Sequence, residues 1–138
     1  CYPVHWGYRV SFHALIVDDS SAMRAFVRAS LEDADFARVD EAETGFEALR
    51  LLASNTFDVV IVDVNMPDIN GLELLAFMKK SPRQQAARRI LISTQVDGPD
   101  SRRGLDLGAD AFLQKPFEVH ELRALVGDLL GQAGEASL

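Results

Sequence analysis

Five side chains in this sequence could act together: the carboxylates Asp18, Asp19 and Asp63, the hydroxyl of Thr94 and the ammonium of Lys115. Three crowded acids repel one another unless a cation is shared, and hard oxygen ligands with water suit Mg²⁺ better than a softer metal. A carboxylate held beside such an ion can attack phosphorus in line. The metal and a lysine then neutralise the transferred oxygens while an acyl phosphate forms. Taken singly, each residue is ordinary. An Asp after a strand can merely start a turn, and Asp18 and Asp19 can cap a helix while Lys115 pairs with one of them.

The elements around them decide between these readings. Phe12–Val17 predicts a first strand that stops at Asp18-Asp19. Ser20 and Ser21 then offer capping hydroxyls to a helix running to about Asp33, with Met23, Phe26, Val27, Ser30 and Leu31 at helical spacing. Phe36–Glu41 predicts a short second strand, and Thr44 caps a helix carrying Phe46, Ala48, Leu49 and Leu52 that ends at Asn55-Thr56. The run Phe57–Val62 hardly alternates after Asp58, as in a central parallel strand covered on both sides, and Asp63 sits at its carboxyl end. Asn70-Gly71 precedes a third helix with Leu72, Leu74, Leu75 and Met78, stopped by Ser81-Pro82. Arg89–Thr94 predicts a fourth strand. Gly98-Pro99 turns into a short helix over 100–107 closed by Gly108, and Ala111–Leu113 is a fifth strand ending near Lys115-Pro116. Glu118 opens a last helix through Val119, Leu122, Val126 and Leu129, which Gly131 ends.

Five strands alternating with five helices on short connections predict an α/β, doubly wound fold with a five-stranded parallel sheet. A flavodoxin-like 2-1-3-4-5 order suits that number of strands. Such sheets bind ligands at the carboxyl ends of their strands, which is where all five chemical residues fall. Residues 12–131 form the expected domain, residues 1–11 a tag-like or flexible segment, and 132–138 a tail or the start of a linker.

Composition narrows the function classes. A chain of 138 residues, 48% hydrophobic and 25% charged, suits one ordered domain. Its net charge of -7 disfavours direct nucleic-acid binding. No apolar run approaches the roughly 20 residues of a membrane helix. The lone Cys1 implies no disulfide framework or cysteine-rich zinc pattern, so a reducing, cytoplasmic setting is expected. The pairs Arg88-Arg89 and Arg102-Arg103 read as solvated surface, as do Arg24, Arg28 and Glu47 on their helices and His120. His5 and His13 are too isolated to suggest zinc. Neither a G-x-G-x-x-G nor a G-x-x-x-x-G-K-[ST] cradle is present, so nucleotide binding lacks its usual warrant.

The stretches Leu15–Ser20 with Met23-Arg24, Val62–Pro67 with Gly71, Ile92–Thr94 and Gly108–Phe117 resemble, in order and spacing, the receiver domain of two-component response regulators. The resemblance, which includes the stand-alone chemotaxis type, spans roughly residues 13 to 130. It implies that Asp63 is phosphorylated by a partner histidine kinase or phosphotransfer protein. Asp19 would be a direct Mg²⁺ ligand, Mn²⁺ being possible, with Asp18 acting largely through metal-bound water and Asn65 through its backbone carbonyl. Thr94 would move to the phosphoryl oxygen, Lys115 would salt-bridge it, and the Lys115-Pro116 bond would be cis. Phe112 matches an aromatic switch position, reading out on the surface of the fourth helix, fifth strand and fifth helix. The resemblance also implies a kinase-facing patch formed by the first and fifth helices. The state expected is a monomer or a phosphorylation-dependent dimer, with the output protein or effector domain unidentified.

Gln95 departs from the small residue usual beside the switch hydroxyl. With Val96, which offers no polar group to hydrolytic water, and Asn65, it bears on the lifetime of the phosphoryl group. Two other functions stay open. A haloacid-dehalogenase-like phosphatase also uses an aspartyl phosphate, but its D-x-D-x-T pattern has an acid where this chain has Asn65. A phosphorylation-independent interaction domain would have no need of the acid, hydroxyl and lysine set.

Overall fold

The computed structural model describes residues 12–31, 36–94 and 99–136. Five strands, β1 (Phe12–Val17), β2 (Phe36–Ala42), β3 (Val59–Asp63), β4 (Arg88–Ser93) and β5 (Ala111–Gln114), form one parallel sheet in the order β2-β1-β3-β4-β5. The helices between and after them are α1 (Ser21–Leu31), α2 (Gly45–Ser54), α3 (Gly71–Lys80), α4 (Pro99–Asp106) and α5 (Val119–Ala136). The α/β, 2-1-3-4-5 architecture is the one the alternation of elements predicts.

Side-chain alternation explains why β3 reads as continuously apolar. Val60 and Val62, with Leu15, Val17 and Leu91, face one layer against Ala48 and Leu52 of α2 and Leu72, Leu75 and Met78 of α3. Val59 and Ile61, with Ala14, Ile16, Ile90 and Ile92, face the other against Val27 and Leu31 of α1 and Leu122, Val126 and Leu129 of α5. Both faces are dry, so every position must be apolar, and each buried Val, Leu or Ile contributes about 1.5–3 kcal/mol. This two-sided core holds the strand ends in place.

Local signals set the helix starts. Thr44 Oγ1 accepts from the Glu47 amide at 3.1 Å. Asn70 closes a capping box with Glu73: its Oδ1 accepts from the Leu72 amide at 2.7 Å and its own amide donates to Glu73 Oε1 at 3.3 Å. Ser81-Pro82 ends α3 as expected, but leads into a 3-10 turn over Pro82–Gln84. That turn buries Gln84, whose Nε2 caps the carbonyls of Leu52 and Asn55 at 2.8 and 2.6 Å.

Three expectations need correction. The spacing ends the last helix at Gly131, yet α5 continues to Ala136. A Cβ at Gly127 or Gly131 would meet nothing within 4 Å, so these glycines cost only the helix penalty of about 1 kcal/mol each. Arg89 is not solvated but 6% exposed: its Nη2 donates to the Gln84 carbonyl at 2.9 Å and its amide donates to Asp110 Oδ2 at 2.8 Å. Burial lowers its pKa, partly offset by Asp110. Arg24 and Arg28 are likewise committed to partners, described below. The segment 1–11 lies outside the described residues.

Candidate phosphoryl and metal site

β1 and β3 are hydrogen-bonded neighbours, with Val17 opposite Val62, so the residues that follow them emerge side by side. Asp18 and Asp63 are buried, at 2% and 5% exposure, while Asp19 is exposed. One carboxylate oxygen from each of Asp18, Asp19 and Asp63 lies within 4.8 Å of the others. β5 delivers Lys115 to the same edge through the bond from its amide to the Ser93 carbonyl at 2.8 Å. Its Nζ stands 3.2 Å from Asp63 Oδ2 and 3.6 Å from Asp18 Oδ2. The Lys115–Pro116 peptide is cis.

The remaining bonds orient the acids. Asp63 Oδ1 accepts from the Asn65 amide at 3.1 Å, and Asp18 Oδ1 accepts from the Ser20 amide at 2.9 Å. The Asp18 amide donates to the Ala42 carbonyl at 3.1 Å, tying the acidic loop to β2. Burial chiefly pushes the Asp18 carboxyl above its ordinary value. The Ser20 amide opposes this, the charge of Asp63 adds to it, and Lys115 draws it back. Three carboxylates thus face one ammonium in a partly dry place, an arrangement short of positive charge.

The donor set fits a small hard cation. All three side chains offer carboxylate oxygen, no sulfur or imidazole joins them among the described residues, and their spacing is near the span of about 4 Å across a Mg²⁺ octahedron. Asn65 has an exposed side chain at the rim, and Thr94 is exposed just past β4. The Thr94 carbonyl accepts from Gln114 Nε2 at 3.2 Å. Phe112 is half-buried beneath α4. A Cβ built on Gly104 would come within 2.9 Å of its Cζ and 2.7 Å of Leu91 Cδ1. Gln95 and Val96 lie outside the described residues.

Several contributors escape sequence reasoning. Arg24, expected on a solvated face, donates from Nη1 to the Asp18 carbonyl at 2.8 Å and from Nε to Glu41 Oε1 at 3.0 Å. Arg28 Nε reaches Glu41 Oε2 at 2.6 Å. The i, i+4 spacing of the two arginines was the available signal, but it does not name their partner on β2. Asp68, in the loop after β3, accepts from the Gly45 and Phe46 amides at 3.0 and 3.1 Å, fastening that loop to the start of α2. The Gly45 bond leads the causes that hold its carboxyl below the usual range. His13, away from this edge, pairs Nε2 with Asp40 Oδ2 at 2.7 Å.

The family model described as "Response regulator receiver domain" matches residues 14–127. The response regulator ArlR of Staphylococcus saprophyticus is 33% identical over 124 residues, covering 90% of this chain and 54% of ArlR. The KDP operon transcriptional regulatory protein KdpE of Escherichia coli is 38% identical over 112 residues, covering 81% of this chain and 48% of KdpE. The chain thus spans about half the length of the curated relatives it matches. Among solved structures, the chemotaxis response regulator CheY4 of Vibrio cholerae superposes with a TM-score of 0.79 at 31% identity, over 86% of this chain and 98% of that one. DrrB of Thermotoga maritima gives 0.80 at 28% identity, over 89% and 54%. With a family match over most of its length and an acidic edge in the expected place, the chain belongs to the receiver domains of two-component response regulators.

Proposed function

We propose that Asp63 is the phosphoacceptor of this receiver domain, supplied by a histidine kinase or a histidine phosphotransfer protein. The observation that carries the reading is the buried Asp63 carboxylate, with Lys115 Nζ 3.2 Å away and oxygens of Asp18 and Asp19 within 4.8 Å. A carboxylate oxygen of Asp63 attacks phosphorus, the bond from phosphorus to the donor nitrogen breaks, and the imidazole leaves with that electron pair. A mixed carboxylic–phosphoric anhydride results. Lys115 is placed to neutralise the transferred oxygens, and the Asn65 amide steadies the acceptor.

Asp18, Asp19, Asp63 and the Asn65 carbonyl would hold Mg²⁺, or Mn²⁺ in its place, Asp18 acting largely through bound water. Such an ion supplies charge neutralisation for the incoming phosphoryl group. Thr94 then turns to a phosphoryl oxygen, and Phe112 follows into the space it leaves. The readout falls on the surface of α4, β5 and α5. Gln95, Val96 and Asn65 tune how long the phosphoryl group lasts. The signalling unit is residues 12–131 together with the turns that continue α5. It works in the cytoplasm, as a monomer or a phosphorylation-dependent dimer, on an output protein or linked effector.

The exposed Asn65 offers an amide where a phosphatase needs an acid, so turnover of an external phosphate ester is not part of this reading. Incubation with Mg²⁺ and a small acyl phosphate, followed by intact mass and peptide mapping, is the test. One phosphoryl group on Asp63, absent in Asp63→Asn and in excess chelator, is expected. An unmodified Asp63 under those conditions would move the domain to phosphorylation-independent binding.

A further inference from the structure

Arg24 reaches back from α1 to the loop that carries two of the acids. Its two hydrogen bonds have different destinations: Nη1 ends on the Asp18 carbonyl, whereas Nε ends on Glu41 of β2, and its Nη2 lies 3.8 Å from the exposed Glu43 carboxylate. The side chain is 13% exposed, so water competes poorly for either. Glu41 is shared with Arg28, which also donates from Nη2 to the Val39 carbonyl at 2.8 Å but makes no bond to the acidic loop.

The acceptor of Arg24 is the carbonyl of the peptide that joins Asp18 to Asp19. Asp18 has further anchors, in the bonds of its amide to Ala42 and of its carboxylate to Ser20. Asp19 has none of this kind: it is exposed and gains no side-chain hydrogen bond among the described residues. Where its carboxylate stands therefore depends on the plane of the peptide before it. A rigid guanidinium braced by a charged partner can fix that plane, because its planar fork serves two acceptors at once.

We propose that Arg24 is a positioning residue for the metal-binding acids: anchored on Glu41, it pins the Asp18–Asp19 peptide and so holds the Asp19 carboxylate within reach of Asp18 and Asp63. The inference rests on the reading of these acids as a Mg²⁺ site and goes beyond it in assigning the ordering of that site to a side chain that touches no metal. Arg28 is its internal control, since it shares Glu41 without touching the loop.

The experiment is a Mg²⁺ titration followed by backbone amide shifts in wild type, Arg24→Met, Arg28→Met and Arg24→Lys, with denaturation midpoints on the same samples. Methionine keeps most of the apolar stem and removes the bonds. Both methionine variants lose stability through Glu41, but only Arg24→Met weakens Mg²⁺ binding, by about tenfold, as expected for loss of a supporting bond behind a ligand. Arg24→Lys keeps a charge for Glu41 but not the fork, and gives a smaller rise in Kd. Wild-type affinity in both Arg24 variants, or equal weakening in Arg24→Met and Arg28→Met, overturns the inference alone. A wild-type protein whose Asp18 and Asp19 amides ignore Mg²⁺ overturns the metal reading, and the inference falls with it.

Discussion

Gly71 and Asp63 approach so closely that a Cβ built on Gly71 would stand 2.6 Å from the Asp63 carbonyl oxygen. It would also meet Val62 Cγ1 at 2.9 Å and Val64 Cα at 3.0 Å. The first residue of α3 is therefore seated directly against the strand end that carries Asp63, and its amide donates to the Val64 carbonyl at 3.0 Å. The atoms in the way are mostly main chain, which cannot swing aside.

Gly71→Ala is accordingly expected to lose about 1–3 kcal/mol by urea denaturation and to slow phosphorylation of Asp63. An unchanged midpoint with unchanged labelling would mean that the loop absorbs a methyl group after all.

Asp18→Asn removes one of three crowded charges, and the one for which burial is the chief cause of a raised pKa. In chelator the variant should melt higher than wild type, by about 4 °C for each 1 kcal/mol of relieved repulsion in a domain of this size. With saturating Mg²⁺ the order reverses, because an amide is the weaker partner for a hard cation. Paired thermal melts with and without the ion check both halves.

Glu41 yields a pH signature. Burial pushes its carboxyl upward, but the hydrogen bonds from Arg28 and Arg24 outweigh that and leave it below its ordinary value of 4.5. A lowered folded-state pKa means that the unfolded chain binds the proton more readily. The stabilisation is thus complete above the unfolded value and is lost as pH falls through the folded one. At neutral pH Glu41→Gln should cost about 1–2 kcal/mol, as expected for charge-assisted bonds. The gap to wild type should close under acid, and a gap that persists well below pH 4.5 would assign the loss to packing.

Gly104→Ala tests the seat of Phe112. The obstructing atoms here, Phe112 Cζ and Leu91 Cδ1, are ends of side chains. They can give way, and the helix gains about 1 kcal/mol from replacing glycine, so stability should change little. The ring, however, must shift to admit the methyl group, and the chemical shifts of the Phe112 ring and the Leu91 methyl groups should change, whereas unchanged shifts would mean that the helix moves instead.

Much of this was legible before any coordinates. The apolar runs ending on Asp18, Asp63, Thr94 and Lys115 name the strand ends, because a sheet buried on both faces tolerates polar residues only where it emerges. Asn70, Glu73 and Thr44 announce their helices through bonds that span only two or three residues. What stayed hidden was long in range. Arg24 and Arg28 look like any charged pair at helical spacing, since their partner lies on another element. Arg89 looks like half of a basic patch until Gln84 and Asp110 are seen to enclose it.

By itself the sequence determined the α/β alternation, the parallel sheet and the acids, hydroxyl and lysine that meet at its edge, because local periodicity and strand-end position are written in neighbouring residues. Only the tertiary structure decided that Lys115 stands between two of those acids, that Gly71 must lack a side chain beside Asp63, and that Arg24 belongs to the acidic loop. These depend on distances between segments far apart in the chain, which are set by the packing of two helical layers against one sheet.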